Sequence, residues 1–534
     1  MIKSTINPSM LPLLCESVTL KPTQVSSYSH FTNNLYSKAN KMSTSFSHKH
    51  KPSKVESPNS ELLHLREIPG SYGLPFVGAI RDRIAYFYTQ GKDEFFRSRI
   101  QNYHSTVFRT NMPPGPFLAS DPKVIVLLDA KSFSVLLDVS KVEKKNVLDG
   151  TFMPSTSYTG GYRVCAYLDP SEPKHALLKR FFFSILSSRH KLFIPEFRST
   201  LSDELFPLLE DQISKNGKAN FNTLSDSMSF SFVFRLFCDK NPSVTKIGSE
   251  GPTLVGKWLF FQLAPLITFG STKKILNLIE DLLLHTFPLP SFLVKSDYNK
   301  LYDAFSDSAS QILDEAEAMG LKRDEACHNL VFLAGFNAFG GMKTLFPALI
   351  KWVGLAGEKL HKQLAREIRT VAESEGGVTF SAIEKMTLTK SVVYEALRIE
   401  PPVPFQYGKA KQDLVIESHE AAFRVKKGEM IFGYQPFATK DPKVFEDPEE
   451  FVGSRFVGEG EKLLKYVYWS NGRETESPTE ENKQCPAKDL VVLVSRLMLV
   501  EFFLRYDTFT VEVGKVMLGS SVTVKSLTPA KSCS

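Results

Sequence analysis

Apolar residues recur at helical spacing along most of the chain from about residue 93 onward. The segments 251–267 and 298–320 both repeat apolar positions every three or four residues, as amphipathic helices do. The second segment ends at Gly320, a residue type that commonly follows the last turn of a helix. The longer stretch 323–371 predicts two or more long helices. These patterns predict a domain built mainly from α-helices.

Short runs of β-branched and aromatic residues interrupt the helical pattern and predict a few strands. The runs lie at 105–111, 123–129, 413–418, 423–432 and 508–513. A segment rich in Pro and Gly, 68–80, precedes them and is typical of an ordered, extended entry into a domain. The sequence contains no internal repeat. The predicted fold class is therefore mainly α with small β-sheets, in a single large domain over residues 61–534.

Residues 1–60 differ in composition from the rest of the chain. They are rich in Ser, Thr and Lys, and Glu16 is the only acidic residue before Glu56. This composition predicts a transit peptide for the plastid, although the segment lacks the arginines common in such peptides. A disordered tail is the alternative, with a start at Met42 and a cytoplasmic or peripheral membrane location.

The overall composition restricts the class of protein. A net charge of +7 over 534 residues is small and dispersed, which argues against nucleic acid binding. No run of 18 apolar residues predicts a membrane span. The six cysteines are scattered without a CxxC pair, so we expect reduced thiols and no zinc ribbon. The 42 phenylalanines indicate a large apolar core or pocket.

Cys485 is the cysteine with the most informative surroundings. It stands between a glutamine and Pro486, just before a long apolar run. Since Pro favours the first helical position, we expect Cys485 near the N-cap of a helix. A helix N-terminus and the neighbouring Lys483 and Lys488 favour the thiolate, which is the form that binds metals. A packing cysteine is the alternative interpretation.

Three further residues precede Cys485 in a recognisable order. Glu395 and Arg398 are spaced i,i+3 on one predicted helix, and Arg455 follows before the cysteine. An ExxR helix, a later arginine and then a cysteine before an apolar helix resemble the cytochrome P-450 superfamily. The resemblance implies that Glu395, Arg398 and Arg455 form a buried network beneath a haem. It also implies that Cys485 is the thiolate ligand of the haem iron.

The segment 333–343 departs from the oxygen-activating members of that superfamily. Those members carry an acid–threonine pair that relays protons to bound O₂, whereas this chain has Asn337 and Ala338. An amide delivers no proton at neutral pH and alanine has no hydroxyl. The sequence is similar instead to the plant enzymes that act on fatty acid hydroperoxides, namely allene oxide synthases, hydroperoxide lyases and divinyl ether synthases. The matching stretches are 105–117, 168–180, 336–343, 390–403, 434–445, 456–472 and 482–485.

The resemblance implies a role for further residues. The propionates of a haem b are assigned to a set of basic residues: Lys144, His175, Lys179 and Lys483. His175 and Lys179 are spaced i,i+4, so both side chains project from the same face of a helix. The fatty acid hydroperoxide is assigned to Asn337 and Lys343. A surface position is the alternative for Lys343.

The implied reaction is the dehydration of a 9- or 13-hydroperoxide of linoleic or linolenic acid to an allene oxide. It uses no external O₂, no NADPH and no reductase partner. Leu148 occupies a position where jasmonate-type synthases carry Phe and lyases carry Leu, although a second subgroup of synthases also carries Leu. A synthase is favoured, and a lyase or divinyl ether synthase is the alternative. A monooxygenase and a non-catalytic haem sensor are the rivals from other classes.

Overall fold

The computed structural model describes residues 63–148, 150–516 and 519–531, so the predicted transit peptide and Met42 lie outside the described residues. The structure is 56% helical and forms one domain, which confirms the predicted fold class. In chain order the described α-helices are α1 (Val77–Ile84), α2 (Lys92–Tyr103), α3 (Ala130–Phe133), α4 (Pro173–Arg189), α5 (Phe193–Thr200), α6 (Phe206–Asn216), α7 (Phe221–Cys238), α8 (Gly251–Leu263), α9 (Lys274–Leu284), α10 (Lys295–Ser308), α11 (Ser310–Ala318), α12 (Arg323–Val331), α13 (Gly340–Ala356), α14 (Glu358–Ser374), α15 (Phe380–Lys385), α16 (Thr387–Ile399), α17 (Gln435–Ala438) and α18 (Lys488–Arg505).

Shorter helical turns join several of these helices. The π-helical turns are Ala85–Thr89, Leu201–Leu205 and Phe332–Phe339, and the 3₁₀ turns are Ser134–Leu137, Thr156–Thr159, Cys165–Tyr167, His190–Leu192, Pro242–Val244, Gly248–Glu250, Ala264–Leu266, Ser291–Val294 and Gly458–Tyr466. The turn Phe332–Phe339 connects α12 directly to α13 and carries Asn337. Inserted π turns are frequent at functional sites, because the extra residue changes which side chains face a pocket.

The strands form small sheets around the helices. They are β1 (Leu65–Arg66), β2 (Val107–Asn111), β3 (Lys123–Leu127), β4 (Val142–Glu143), β5 (Ala219–Asn220), β6 (Phe405–Ala410), β7 (Leu414–Glu417), β8 (Ala422–Val425), β9 (Met430–Tyr434), β10 (Tyr468–Trp469), β11 (Gly472–Arg473), β12 (Tyr506–Lys515) and β13 (Ser520–Pro529). The largest sheet has the order β2-β3-β9-β6-β4, and the others are β1-β8-β7, β12-β13-β5 and β10-β11. Strands β3 and β9 are parallel, with Ile125 opposite Ile431, and β1 and β8 are also parallel.

All the predicted strands and helices are present, with four differences in detail. The segment 68–80, predicted to be extended, becomes helical at Val77, where α1 begins. The run 423–432 divides into β8 and β9, which belong to different sheets, because Gly428 turns the chain with a φ of +87°. The segment 298–320 is interrupted at Ala309, whose φ of −103° and ψ of 32° leave the helical region. Helix α18 begins at Lys488 with Ala487 as its N-cap, two residues later than expected.

The main hydrophobic core lies between the long helices. Its largest fully buried side chains include Trp258 and several phenylalanines: Phe181, Phe197, Phe221, Phe232 and Phe234. Helix α18 contributes a continuous buried run, Leu497–Val500, to the same core. Because α18 is packed in this core, it anchors the end of the loop that precedes it. No helix in the described part of the chain combines the length and the apolar character needed to cross a bilayer.

Candidate active site

Cys485 lies in the loop that leads into α18. The preceding Gln484 is buried and donates from Nε2 to the carbonyl oxygen of Arg473 at 2.6 Å, which fixes the backbone beside the cysteine. Burial raises the pKa of the Cys485 thiol, and a hydrogen bond from the Ala487 N–H and the charge of Lys179 oppose that rise. A thiol in this setting becomes a thiolate when a metal ion supplies the missing positive charge. The loop therefore suits a thiolate ligand to iron.

Basic side chains gather beside this loop. Lys144, His175 and Lys179 are 4%, 1% and 2% exposed, and Lys483 lies two residues before the cysteine. Burial lowers the pKa of Lys144 to about 7, of His175 to about 4 and of Lys179 to about 8. The charge of Lys483 lowers all three further, and burial also lowers the pKa of Lys483 itself. We call these four residues the basic cluster.

The basic cluster finds only neutral hydrogen-bond acceptors among the described residues. Lys144 Nζ donates to Gln406 Oε1 at 3.2 Å and also to the side chain of Asn471. Lys179 Nζ donates to the carbonyl oxygen of Asn482 at 2.5 Å, and His175 Nδ1 lies 3.1 Å from the carbonyl oxygen of Glu480.

Asp169 is a nearby carboxylate, but it accepts from the backbone N–H of Lys144 and from no side chain of the basic cluster. Buried cations that no anion pairs directly are costly, so the donor set suits a ligand with negative charges. The two carboxylates of a haem, together with iron beside Cys485, satisfy this requirement. The residues present therefore fit a haem.

The segment 165–169 connects the basic cluster with the helix that carries Asn337. Lys483 Nζ donates to the carbonyl oxygens of Ala166 and Leu168 at 2.7 and 2.8 Å. The ring of Tyr167 meets Phe332, at the start of the π-helical turn, with centroids 5.7 Å apart. Asp169 accepts from the backbone N–H of Lys144 at 2.7 Å. The segment 165–169 therefore contacts both the basic cluster, assigned to the cofactor, and the π-helical turn that carries Asn337, assigned to the substrate.

Glu395, Arg398 and Arg455 form one buried network. Arg398 donates from Nε and Nη2 to the Glu395 carboxylate at 2.7 and 2.8 Å, and Arg455 Nε donates to the same carboxylate at 3.0 Å. The side chains of Glu395 and Arg398 are fully buried. The remaining N–H groups of the two arginines bind backbone carbonyls of the segment 446–450 and of Thr439. The predicted network is therefore present as a connected unit.

The residues assigned to the substrate have different surroundings. Asn337 is exposed on the π-helical turn and follows Phe336, which stacks on Phe332 with centroids 4.5 Å apart. Leu148 is half-buried and packs against the main core. Lys343 is partly exposed, and its ammonium pairs with the Asp226 carboxylate on α7. That pairing gives Lys343 a partner within the protein, so its assignment to the substrate carboxylate stays a prediction.

Sequence analysis missed three residues that organise this site. Asp169, Asn471 and Asp226 each bind a residue that the sequence had assigned to cofactor or substrate. Asp169 and Asn471 lie in loops and Asp226 lies on α7, and a single polar residue of this kind gives no periodic signal for a partner distant in sequence. The signal that existed was position, because Asp169 lies within the matching stretch 168–180.

Comparison with known proteins identifies the family of the chain. Residues 355–472 match the family model described as Cytochrome P450. The chain is 59% identical over 471 residues to "Allene oxide synthase 3" of Solanum lycopersicum, covering 88% of this chain and 96% of that protein. It is 58% identical over 480 residues to "Allene oxide synthase 1, chloroplastic" of the same organism, with 89% of each chain covered. It is 54% identical over 474 residues to "Divinyl ether synthase CYP74D3" of Nicotiana tabacum, covering 88% of this chain and 98% of that protein.

Proposed function

The chain belongs to the cytochrome P450 family and, within it, to the plant allene oxide synthases, and we propose that it dehydrates fatty acid hydroperoxides to allene oxides. Its cofactor is haem, and it acts on these hydroperoxides without a reductase partner. The observation that carries the proposal is the pairing of a haem-binding donor set with an Asn337–Ala338 turn. That turn lacks the acid and hydroxyl groups that O₂ activation uses.

In this proposal, different residues of the chain bind the cofactor and the substrate. Cys485 holds the iron as thiolate, and the basic cluster binds the propionates through charge-assisted hydrogen bonds. When bound, the haem iron supplies the homolytic cleavage of the O–O bond of the hydroperoxide. Asn337 donates an amide hydrogen bond to the peroxide and orients it. Net loss of water from the hydroperoxide gives the allene oxide, so neither external O₂ nor NADPH enters the reaction.

Product analysis tests this function. Purified ferric protein is given the 9- and 13-hydroperoxides of linoleic and linolenic acids, with Cys485→Ser as the control without the thiolate. We expect ketols and cyclopentenones, the hydrolysis and cyclisation products of allene oxides, with no requirement for NADPH. Short aldehydes instead would identify a hydroperoxide lyase, and divinyl ethers a divinyl ether synthase. A hydroperoxide lyase is the second candidate because Leu148 occupies a position where lyases carry Leu.

The proposed location is the plastid, in line with the word "chloroplastic" in the name of one tomato relative. Residues 1–60 are the proposed transit peptide, and residues 61–534 the catalytic domain. A fusion of residues 1–60 to a fluorescent protein is expected to enter plastids, whereas a fusion that begins at Met42 is expected to stay outside. Plastid entry of the shorter fusion, or cytoplasmic retention of the longer one, contradicts this proposal.

We also propose that helix α9 attaches the protein to a lipid surface. Its acidic residues Glu280 and Asp281 are buried, while its apolar residues are exposed. Arg83 of α1 donates from Nε and Nη2 to the Asp281 carboxylate at 2.9 and 2.7 Å and so holds the polar side inward. The outward apolar side chains, 46–63% exposed, are Ile275, Leu276, Leu278, Ile279, Leu282 and Leu283. An inverted helix of this kind suits a membrane surface, where a lipid substrate also resides.

Vesicle binding tests the lipid surface. The substitution Leu283→Glu is expected to lower sedimentation with phosphatidylcholine–phosphatidylglycerol vesicles several-fold. Leu355→Glu on α13 is the matched control, since Leu355 is 57% exposed and Leu283 is 58% exposed. Equal loss in both variants would show that the effect is not specific to α9.

A further inference from the structure

A row of aromatic side chains leads away from the π-helical turn. Trp258 is fully buried and contacts Phe336, the neighbour of Asn337, with centroids 6.3 Å apart. Tyr298 stacks on Trp258 at 5.5 Å, and His328 stacks on Tyr298 at 5.7 Å. The row therefore begins beside the residue assigned to the hydroperoxide.

The row continues toward the surface at Tyr302. The rings of His328 and Tyr302 lie 4.5 Å apart, and Tyr302 is half-buried. The Tyr302 hydroxyl donates to Asp324 Oδ1 at 2.7 Å, and the Asp324 side chain is 55% exposed. The row thus joins the proposed substrate site to solvent through rings in contact.

The centre of the row contains a tyrosine paired with a base. The Tyr298 hydroxyl lies 2.6 Å from His328 Nδ1, and His328 Nε2 faces Asp324 Oδ1 at 3.5 Å. Burial lowers the pKa of His328, so the ring is neutral and Nδ1 accepts the phenol proton. Gly160 permits this position, because a Cβ there would lie 1.9 Å from His328 Nε2. A phenol that can pass its proton to a partner at once is the arrangement that one-electron oxidation requires.

We propose that Tyr298, with His328 as its proton acceptor, is a redox-active site that reduces the enzyme after a failed turnover. This inference rests on the proposed function, because a lipid hydroperoxide is the oxidant. In a failed turnover the O–O bond breaks homolytically, and the lipid alkoxyl radical leaves before it can rearrange. The hydroxyl half of the peroxide then remains in the site and still has to accept one electron.

The proposed step removes one electron and one proton from Tyr298. Tyr298 gives one electron through Trp258 and gives its phenol proton to His328 Nδ1, which produces a neutral tyrosyl radical and an imidazolium facing Asp324. The hydroxyl half takes up the electron and a proton from solvent and leaves as water. A soluble one-electron donor of the ascorbate class then reduces the row at Tyr302, and His328 returns its proton to Tyr298.

Freeze-quench EPR of the haem-loaded enzyme tests this site. The probe is a saturated fatty acid hydroperoxide, which has no neighbouring double bond onto which the alkoxyl radical can close. We expect a tyrosyl radical whose splitting changes when the protein is made with ring-deuterated tyrosine. The signal of the Tyr298→Phe variant is expected to be about tenfold weaker than that of the wild type. Tyr506→Phe is the matched control, because Tyr506 is also buried but its ring contacts are phenylalanines and its hydroxyl donates to Glu210.

A second readout keeps the test independent of radical detection. Tyr298→Phe is expected to be inactivated after several-fold fewer turnovers of linoleic acid hydroperoxide than the wild type or the Tyr506→Phe control. An enzyme that consumes linoleic acid hydroperoxide but forms no tyrosyl radical, or one whose signal survives Tyr298→Phe, overturns this inference alone. Failure to consume linoleic acid hydroperoxide overturns the proposed function and this inference with it.

Discussion

At the scale of single residues, charge is the property that explains the site. Lys144, Lys179 and His175 are buried close to Lys483, and burial lowers the pKa of all three, so their positive charge is disfavoured where they lie. Such an arrangement is retained when a ligand supplies opposite charge. The sequence alone suggested these residues only through the family resemblance. Their burial and the lack of a carboxylate partner among the described residues give the physical reason for the same assignment.

The first prediction concerns two members of the basic cluster. His175→Ala with Lys179→Ala is expected to lower haem affinity at least ~100-fold, since each charge-assisted hydrogen bond contributes roughly 1.5–3 kcal/mol. Transfer of haem to apomyoglobin measures the change. His190→Ala with Lys191→Ala is the matched control, because that His–Lys pair follows the same helix but is exposed. Equal haem transfer from the two double variants would place His175 and Lys179 outside the cofactor site.

The second prediction concerns Asn337. Asn337→Ala is expected to lower the rate with lipid hydroperoxides by about 100-fold, the lower end of what one well-placed donor contributes to an active site. The haem spectrum and the unfolding temperature should stay unchanged, because Asn337 is exposed and outside the core. Stopped-flow consumption of the hydroperoxide measures the rate. Wild-type rates in this variant would remove Asn337 from the mechanism.

At the scale of elements, the sequence predicted the existence of the longer helices and of five strand segments better than the points where elements begin and end. Periodicity located the apolar segments, because the spacing of core residues is repeated many times along a helix. The π-helical turn Phe332–Phe339 has no such signal, since one inserted residue leaves the apolar pattern almost intact. The predicted start of α18 was also wrong. Pro486 is compatible with the first helical position, but the helix begins at Lys488. A hydrogen bond from Gln484 Nε2 to the carbonyl oxygen of Arg473 helps to fix that loop, and no local sequence pattern indicates this contact.

The third prediction concerns the network that joins α16 to the segment 446–455. Glu395→Gln is expected to lower the free energy of unfolding by about 3–5 kcal/mol, because Arg398 and Arg455 would stay buried without a carboxylate. Chemical denaturation of the haem-loaded protein measures this loss. Glu449→Gln is the control on the same segment, where a 63% exposed side chain pairs with Lys440, and its effect should stay within about 0.5 kcal/mol. Similar losses in both variants would contradict a structural role for the buried network.

At the scale of the whole molecule, the cofactor site joins parts of the chain that are far apart in sequence. His175 on α4 and Glu480 before α18 are 305 residues apart, and their contact lies beside Cys485. In the proposed cofactor site, haem binding would therefore link the stability of the domain to the charges of the basic cluster. The sequence indicated the cofactor, but this linkage became visible only when burial and distance were known.

The last prediction follows from that linkage and concerns pH. In the haem-free protein the pKa of Lys144 is about 7, against 10.5 in the unfolded chain, and that of Lys179 is about 8. From about pH 7 for Lys144 and about pH 8 for Lys179 up to the unfolded value of 10.5, each lysine is protonated in the unfolded chain and deprotonated in the folded protein. The free energy of unfolding of the haem-free protein therefore rises with pH, by up to ~1.4 kcal/mol per pH unit for each lysine.

In the proposed site the two carboxylates of haem would stabilise the charged lysines and return their pKa values toward 10.5, so the haem-loaded protein should lack this rise. We expect the stability difference between haem-loaded and haem-free protein to shrink from about pH 7 to about pH 10. Chemical denaturation of both forms across this range measures the difference, and Lys144→Met should reduce its pH dependence because one of the titrating lysines is gone. Parallel stability curves for the two forms would mean that the basic cluster does not bind the haem carboxylates.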